Sequence, residues 1–260
     1  MSRRPANLAR IVYLVAIYGF LYLPIAVLVI YSFNDTRYSS NWQGFTFKWY
    51  LALRDNRMLL DSLFNSLLVA LLSSTIATVI GTLAAVAFQR YRFPGRKLLY
   101  GLLFVVMMSP DIVMGISLLM LFILVRLEPG FLTLVLSHIT FCLPFVAVTI
   151  HARIADFDPN VIEAAKDLGA SEYQAFRHVI LPMLLPAVVS GWLLSFTLSL
   201  DDVIVSFFVT GPTFEILPLK IYSMVRLGVK PEVNALSTIL FAITLVTVFV
   251  SHWLVKEKKP

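Results

Sequence analysis

Long apolar runs alternate with short polar turns along this chain. The runs cover about Ile11–Phe33, Ser62–Phe88, Leu98–Val125, Phe131–His151, Met183–Val209 and Ala235–Val255. A helix needs roughly 20 predominantly apolar residues to cross a bilayer, so each run is long enough for one span. The pattern predicts an all-α polytopic membrane protein, with six transmembrane helices in a single domain over residues 1–260. Pro24 is expected to kink the first run. In the second, Ser66, Ser73, Ser74, Thr78, Gly81 and Thr82 make a small-residue stripe of the kind that lets helices pack closely in lipid. Ser109-Pro110-Asp111 interrupts the third. Between the first two runs, residues 34–61 form a polar loop rich in aromatic rings, among them Trp42, Phe45, Phe47, Trp49 and Tyr50.

Composition supports this reading. Only 14% of residues are charged and 59% are hydrophobic, whereas a soluble domain sits nearer a quarter charged. The length is taken up by spans and loops, with no room for a separate soluble domain. Cys142 is the single cysteine and lies in an apolar run, which excludes disulfides and cysteine metal sites within one chain. A net charge of +6 would point a soluble protein toward nucleic acid; here its distribution reads as topology. Arg3, Arg4 and Arg10 precede the first run, Arg90, Arg92, Arg96 and Lys97 fill the turn after the second, and Lys256, Lys258 and Lys259 form the tail. The alternate loops carry fewer basic residues over longer stretches, so the positive-inside rule puts both termini in the cytoplasm. A cleaved signal peptide is the competing reading of the N-terminus. The first run is longer than a signal core and no small-x-small cleavage site follows it, so an uncleaved span is expected.

One long window, Asp158 to Pro182, is polar. Asp158 can cap a helix that starts at Pro159, and Val161, Ala164, Ala165 and Leu168 fall on one face at helical spacing. Gly169 supplies the left-handed residue that ends such a helix. Ser171 and Gln174 have capping-box spacing for a second short helix, with Leu181-Pro182 expected to end it. The window predicts two short helices bent about Gly169, with a small apolar face and a charged border.

This window resembles the EAA loop of permease subunits of ATP-binding-cassette importers. Glu163, Ala164, Ala165, Gly169, Leu181 and Pro182 match that pattern at its spacing, and Val179 stands where the pattern has Ile. The resemblance implies a type I importer permease fold, with residues 158–182 as the cytoplasmic coupling helix that docks on a separate ATPase subunit. That puts the window on the same side as the charge distribution does.

Three acids lie inside apolar runs: Asp111, Asp201 and Asp202. Intramembrane carboxylates are costly and mark functional sites by default. At 1.5 Å per helical residue, Asp111 lies roughly 20 Å from the start of its span and Asp201 roughly 22 Å from Pro186, so both belong at similar depth. Ser195, Ser199, Asp202 and Ser206 step by four, three and four, a polar stripe on one face of the fifth helix that is expected to line a passage. Carboxylates there favour a cationic solute, and rings such as Trp49 and Tyr50 add cation–π attraction. The competing readings are helix-end capping or pairing with a loop cation for the acids, and a membrane-interface aromatic for Trp49. His138 reads as a helix-packing hydrogen-bond donor.

The segments VVMMSPDIVMGISLL, SHITFCLPFV, SFTLSLDDVIVSFFVTGP and LPLKIYSMVRLGVKPEVNAL are similar to the spermidine/putrescine branch of that permease family, and the likeness runs from the WQGFTFKWY loop to the sixth run. It implies a bacterial inner-membrane subunit working with a second homologous permease, two ATPase subunits and a periplasmic polyamine-binding protein, in contact with membrane lipid and not nucleic acid. By motif, it implies a substrate pathway through Trp49, Asp111, Ser199, Asp201 and Asp202, and ATPase coupling through Glu163, Ala164, Ala165, Gly169 and Glu172. No Gly is followed by Lys, so no phosphate loop is present; ATP and its magnesium are expected on the partner ATPases, with no cofactor in this chain and no enzymatic activity of its own. Paired His/Cys metal spacing and a G-x-S-x-G nucleophile elbow are also lacking. The rival readings are a related importer permease for ferric iron or an organic cation, a proton-coupled carrier using Asp111 and Asp202, and an intramembrane aspartyl hydrolase. The last has poor geometry, because adjacent residues point about 100° apart on a helix.

Overall fold

The computed structural model describes residues 4–36, 41–226 and 231–256; the side chains at 4–9, 159, 162, 243, 244 and 247–256 are not among them. Arg3, Lys258 and Lys259 lie outside the described residues, as do the side chains of Arg4 and Lys256. In chain order the helices are α1 (Arg4–Tyr31), α2 (Lys48–Asp55), α3 (Arg57–Arg90), α4 (Arg96–Met108), α5 (Asp111–Leu124), α6 (Phe131–Ala155), α7 (Pro159–Asp167), α8 (Glu172–Ala175), α9 (Leu181–Asp201), α10 (Ile204–Val209), α11 (Leu217–Arg226) and α12 (Pro231–Lys256). A π-helical turn, Phe176–Ile180, joins α8 to α9.

Four helices among the described residues are long and apolar enough to cross a membrane: Arg10–Tyr31, Arg57–Arg90, Phe131–Ala155 and the stretch Glu172–Asp201. The α4–α5 pair makes a fifth if it counts as one broken span. The sixth expected run falls on α12, where the far half has no described side chains.

Contacts divide the chain into two units, Met1–Leu60 with Ile221–Pro260, and Asp61–Lys220. In the first, α12 packs against α1 and α2. The loop after α1 is built on Asn34, which is fully buried. Its amide donates to Asn41 O at 2.7 Å and accepts from Gln43 N at 2.9 Å. Phe33 stacks on Phe45 with ring centroids 5.1 Å apart and meets Phe47 edge-on. The aromatic loop is thus a folded cap, its buried polar groups satisfied from within.

In the second unit α6 is the central element, packed along α9. Small residues allow the approach. A Cβ at Gly81 of α3 would lie 2.9 Å from Val146 Cγ1, and one at Gly191 of α9 would lie 3.4 Å from the same atom. The serine and threonine stripe of α3 is buried, as close packing in lipid requires. Ser73 Oγ donates to Val135 O at 3.2 Å, and Ser66 Oγ accepts from Leu217 N at 2.7 Å.

Two expected spans are broken. Pro110 disfavours helical backbone at Ser109, and both residues are extended, with ψ of 136° and 134°. The axes of α4 and α5 consequently differ by 113°. The fifth run is not continuous to Val209 either: α9 stops at Asp201, and Asp202 is extended with ψ 124° before α10 begins. The segments after the two breaks, α5 and α10, pack on each other. Gly115 makes the contact possible, since a Cβ there would lie 2.6 Å from Phe208 Cδ2.

Candidate functional site: two broken helices and a bent polar segment

The acids sit at the breaks. Asp111 is the first residue of α5 and half-buried, where a carboxylate also complements the positive end of the helix dipole. Asp201 is the last residue of α9 and exposed. Neither forms an ion pair among the described residues.

Asp202 has a different environment. It is 8% exposed, and its carboxylate accepts from Val205 N at 3.2 Å, Ser206 N at 2.8 Å and Ser206 Oγ at 2.7 Å. It caps α10, satisfying backbone N–H groups that the first turn leaves without partners. Ser206 in turn lies 2.9 Å from His138 Nε2, and His138 Nδ1 lies 2.6 Å from Ser199 Oγ. Because the Ser206 hydroxyl donates to Asp202, it must accept from His138 Nε2–H, which leaves Nδ1 to accept from Ser199. His138, Ser199 and Ser206 are all buried. The stripe from Ser195 to Ser206 thus faces α6 instead of an open passage, and Ser206 belongs to a separate helix. His138 is the helix-packing hydrogen-bond donor expected of a lone polar ring in an apolar run, and what the run did not reveal is its partners, Ser199 and Ser206.

Trp49, in the first unit, is half-buried on α2. Its indole N–H donates to Asn34 O at 2.7 Å, and the Lys48 ammonium sits 4.7 Å from its ring centroid. One ring face already holds a cation, which is itself ion-paired with Asp35. Tyr50 meets Ser32 Oγ at 2.6 Å through its hydroxyl.

The polar window folds as its caps dictate. Asp158 accepts from Asn160 N at 3.0 Å. Gly169 has φ +86°, and the bonds Ala170 N to Ala165 O (3.0 Å) and Gly169 N to Lys166 O (2.8 Å) complete a Schellman motif. Ser171 and Gln174 exchange both capping-box bonds. One expectation fails: Leu181-Pro182 does not end the second helix. Pro182 removes a donor and crowds the preceding turn, and the chain widens into the π-turn instead, with Leu181 N bonded to Phe176 O. The second arm of the bend is therefore continuous with α9. Glu172 pairs with Arg90 at the end of α3 and with Lys166 of α7, the latter at 2.6 Å. Arg90, Glu163 and Lys166 line a cleft of about 450 Å³ with the ends of α3 and α6. Leu168, 90% exposed, projects at the bend, and Glu163 and Ala164 are exposed with Ala165 half-buried.

Comparison with known proteins decides the family. Residues 77–256 match the model of the binding-protein-dependent transport system inner membrane component. The chain belongs to that family. As a member, it is a permease component and not an ATPase, and it is a multi-pass protein of the inner membrane. The spermidine/putrescine transport system permease protein PotC of Escherichia coli (strain K12) is 58% identical over 246 residues, 95% of this chain and 93% of that protein. The PotC of Haemophilus influenzae is 52% identical over 94% of this chain and 95% of its own length. The putrescine transport system permease protein PotI of Escherichia coli (strain K12) is 40% identical, covering 94% and 90%. Among solved structures, a bacterial ABC transporter involved in the import of the acidic polysaccharide alginate superposes with a TM-score of 0.76 at 15% identity, over 100% of this chain and 99% of that one. That likeness shows the all-helical importer fold alone. Family membership removes the intramembrane hydrolase reading.

Proposed function

We propose that this permease component forms half of the translocation pathway of an ATP-driven importer of spermidine and putrescine. The observation that carries the cargo assignment is the pair of breaks: each holds an acid, Asp111 or Asp201, with no ion pair among the described residues, and the helices after the breaks pack together. A linear polycation has spaced ammonium groups, and separated carboxylates at two helix ends suit it. The polyamine names of relatives at 58% and 40% identity support the same cargo. In this reading Asp202, Ser199 and His138 hold the second break rigid.

The mechanism follows from connectivity. The chain spans the membrane six times, with α12 as the last span and both termini in the cytoplasm. The bend at Gly169 meets one of two ATPase subunits, which bind ATP and magnesium. Because the second arm of the bend runs unbroken into α9, a push on Leu168 and Glu163 reaches the break at Asp201. The Arg90–Glu172–Lys166 cluster ties the end of α3 to the same motion. A periplasmic polyamine-binding protein delivers cargo to the outward-open state, and a second homologous permease completes the pathway.

The test is uptake of radiolabelled spermidine by proteoliposomes holding the complete complex. Spermidine uptake displaced by excess putrescine and not by ferric citrate is expected. Uptake of iron or another cation without spermidine uptake would replace the cargo assignment.

A further inference from the structure

The turn between α3 and α4 carries charges that the transport reading does not use. Pro94 and Gly95 occupy the central positions of a type II turn, with Gly95 at φ 84° and ψ −4° and Arg96 N bonded to Phe93 O at 3.3 Å. The turn throws Arg92, Arg96 and Lys97 to one end of α4. No carboxylate among the described residues pairs with any of the three. Two adjoining clefts share Arg96 and Lys97. One, of about 610 Å³, is also lined by Arg92, Phe93 and Leu98. The other, of about 320 Å³, is lined by Phe88, Tyr100 and His151, and the buried His151 Nδ1 has no partner.

Beyond the cations the surface turns apolar. Leu98, Leu102 and Val105 follow at spacings of four and three, one helix face, and all three are exposed. Three uncompensated cations at the end of an exposed apolar stripe match a molecule with an anionic head and a hydrocarbon tail.

The geometry points to a binding site for an acidic phospholipid, its phosphate held by Arg92, Arg96 and Lys97 and its acyl chain laid along Leu98, Leu102 and Val105. Attraction of a basic residue to an anionic bilayer surface amounts to about 1 kcal/mol, or about fivefold in affinity, per charge. The apolar stripe distinguishes a lipid from free phosphate, which would gain nothing from it.

Native mass spectrometry of the complete complex tests this, with phosphatidylglycerol, phosphatidylcholine or inorganic phosphate added. The wild-type complex should retain phosphatidylglycerol over phosphatidylcholine, and millimolar phosphate should not displace it. Arg96→Gln with Lys97→Gln should reduce retention by about 25-fold, the product of two fivefold factors. Arg92→Gln, at an exposed turn position that cannot upset packing, should reduce it by about fivefold. Equal retention of both lipids, retention unchanged in Arg92→Gln, or displacement by phosphate alone would each overturn the proposal.

Discussion

Ser206 Oγ stands between Asp202 Oδ2 at 2.7 Å and His138 Nε2 at 2.9 Å, so one hydroxyl joins the break after α9 to the middle of α6. The arrangement converts an intramembrane acid into a fastener. Its removal should act on stability before it acts on cargo. Asp202→Ala leaves the Ser206 hydroxyl and the first N–H groups of α10 without their acceptor, a loss of about 1–3 kcal/mol. A lowered melting temperature of the purified complex is expected, with Asp202→Asn milder because its carbonyl still accepts. Unchanged melting of Asp202→Ala alongside abolished spermidine uptake would instead place this carboxylate on the cargo.

The unpaired acids should behave in the opposite way. Asp111→Asn and Asp201→Asn should leave melting unchanged and raise the KM for spermidine roughly tenfold or more, as loss of a charge-assisted hydrogen bond of about 1.5–3 kcal/mol requires. Uptake kinetics at limiting spermidine check this. An unchanged KM in both variants would remove the acids from the pathway.

Gly169 has open space around it but a left-handed backbone. Sterics should therefore permit any side chain, while φ should not. Gly169→Asn should be tolerated, and Gly169→Val should cost about 1–2 kcal/mol or more at the bend. The expected readout is ATP hydrolysis that no longer rises with loaded binding protein, with reduced uptake. Full coupling in Gly169→Val would contradict the role of the bend.

Glu172 bridges two cations of unequal burial. The Arg90 side chain is 15% exposed, whereas that of Lys166 is 44% exposed. Solvent-exposed pairs contribute little, so Lys166→Gln should have little effect. Glu172→Gln strands the enclosed guanidinium and should impair transport much more. ATPase-coupled uptake of the two variants side by side makes the comparison, and equal losses would refute it.

Close approach supplies a purely structural prediction. A Cβ at Gly211 would lie 2.2 Å from the backbone oxygen of Pro129, while at Gly115 it would meet the movable ring of Phe208 at 2.6 Å. Gly211→Ala should be the more destabilising, by about 1–3 kcal/mol, as read from thermal melting.

Much of this was legible in the sequence because it depends on local rules. The caps at Asp158 and Ser171, the turn at Gly169 and the interruption at Ser109-Pro110 each follow from neighbouring residues, and each is present. What local rules could not give was partnership. Periodicity placed Ser199, Asp202 and Ser206 on one helix face, but whether that face met water or α6 depended on His138, 61 residues before Ser199 in the chain. The end of the second coupling helix was misplaced for a related reason. Pro182 forbids one hydrogen bond, yet a helix can widen by a residue and continue when the following stretch is strongly apolar. Arg90, likewise, reads as one more basic residue of the turn until Glu172 folds back against it.

The account depends on the bend at Gly169 facing the cytoplasm, where an ATPase can reach it. Leu168→Cys in a Cys142→Ser background provides a single thiol at a position that is 90% exposed. A membrane-impermeant maleimide should label it in inside-out vesicles and not in intact spheroplasts, and the assembled ATPase subunits should protect it. Labelling in intact spheroplasts would place the bend outside the cell and contradict the account.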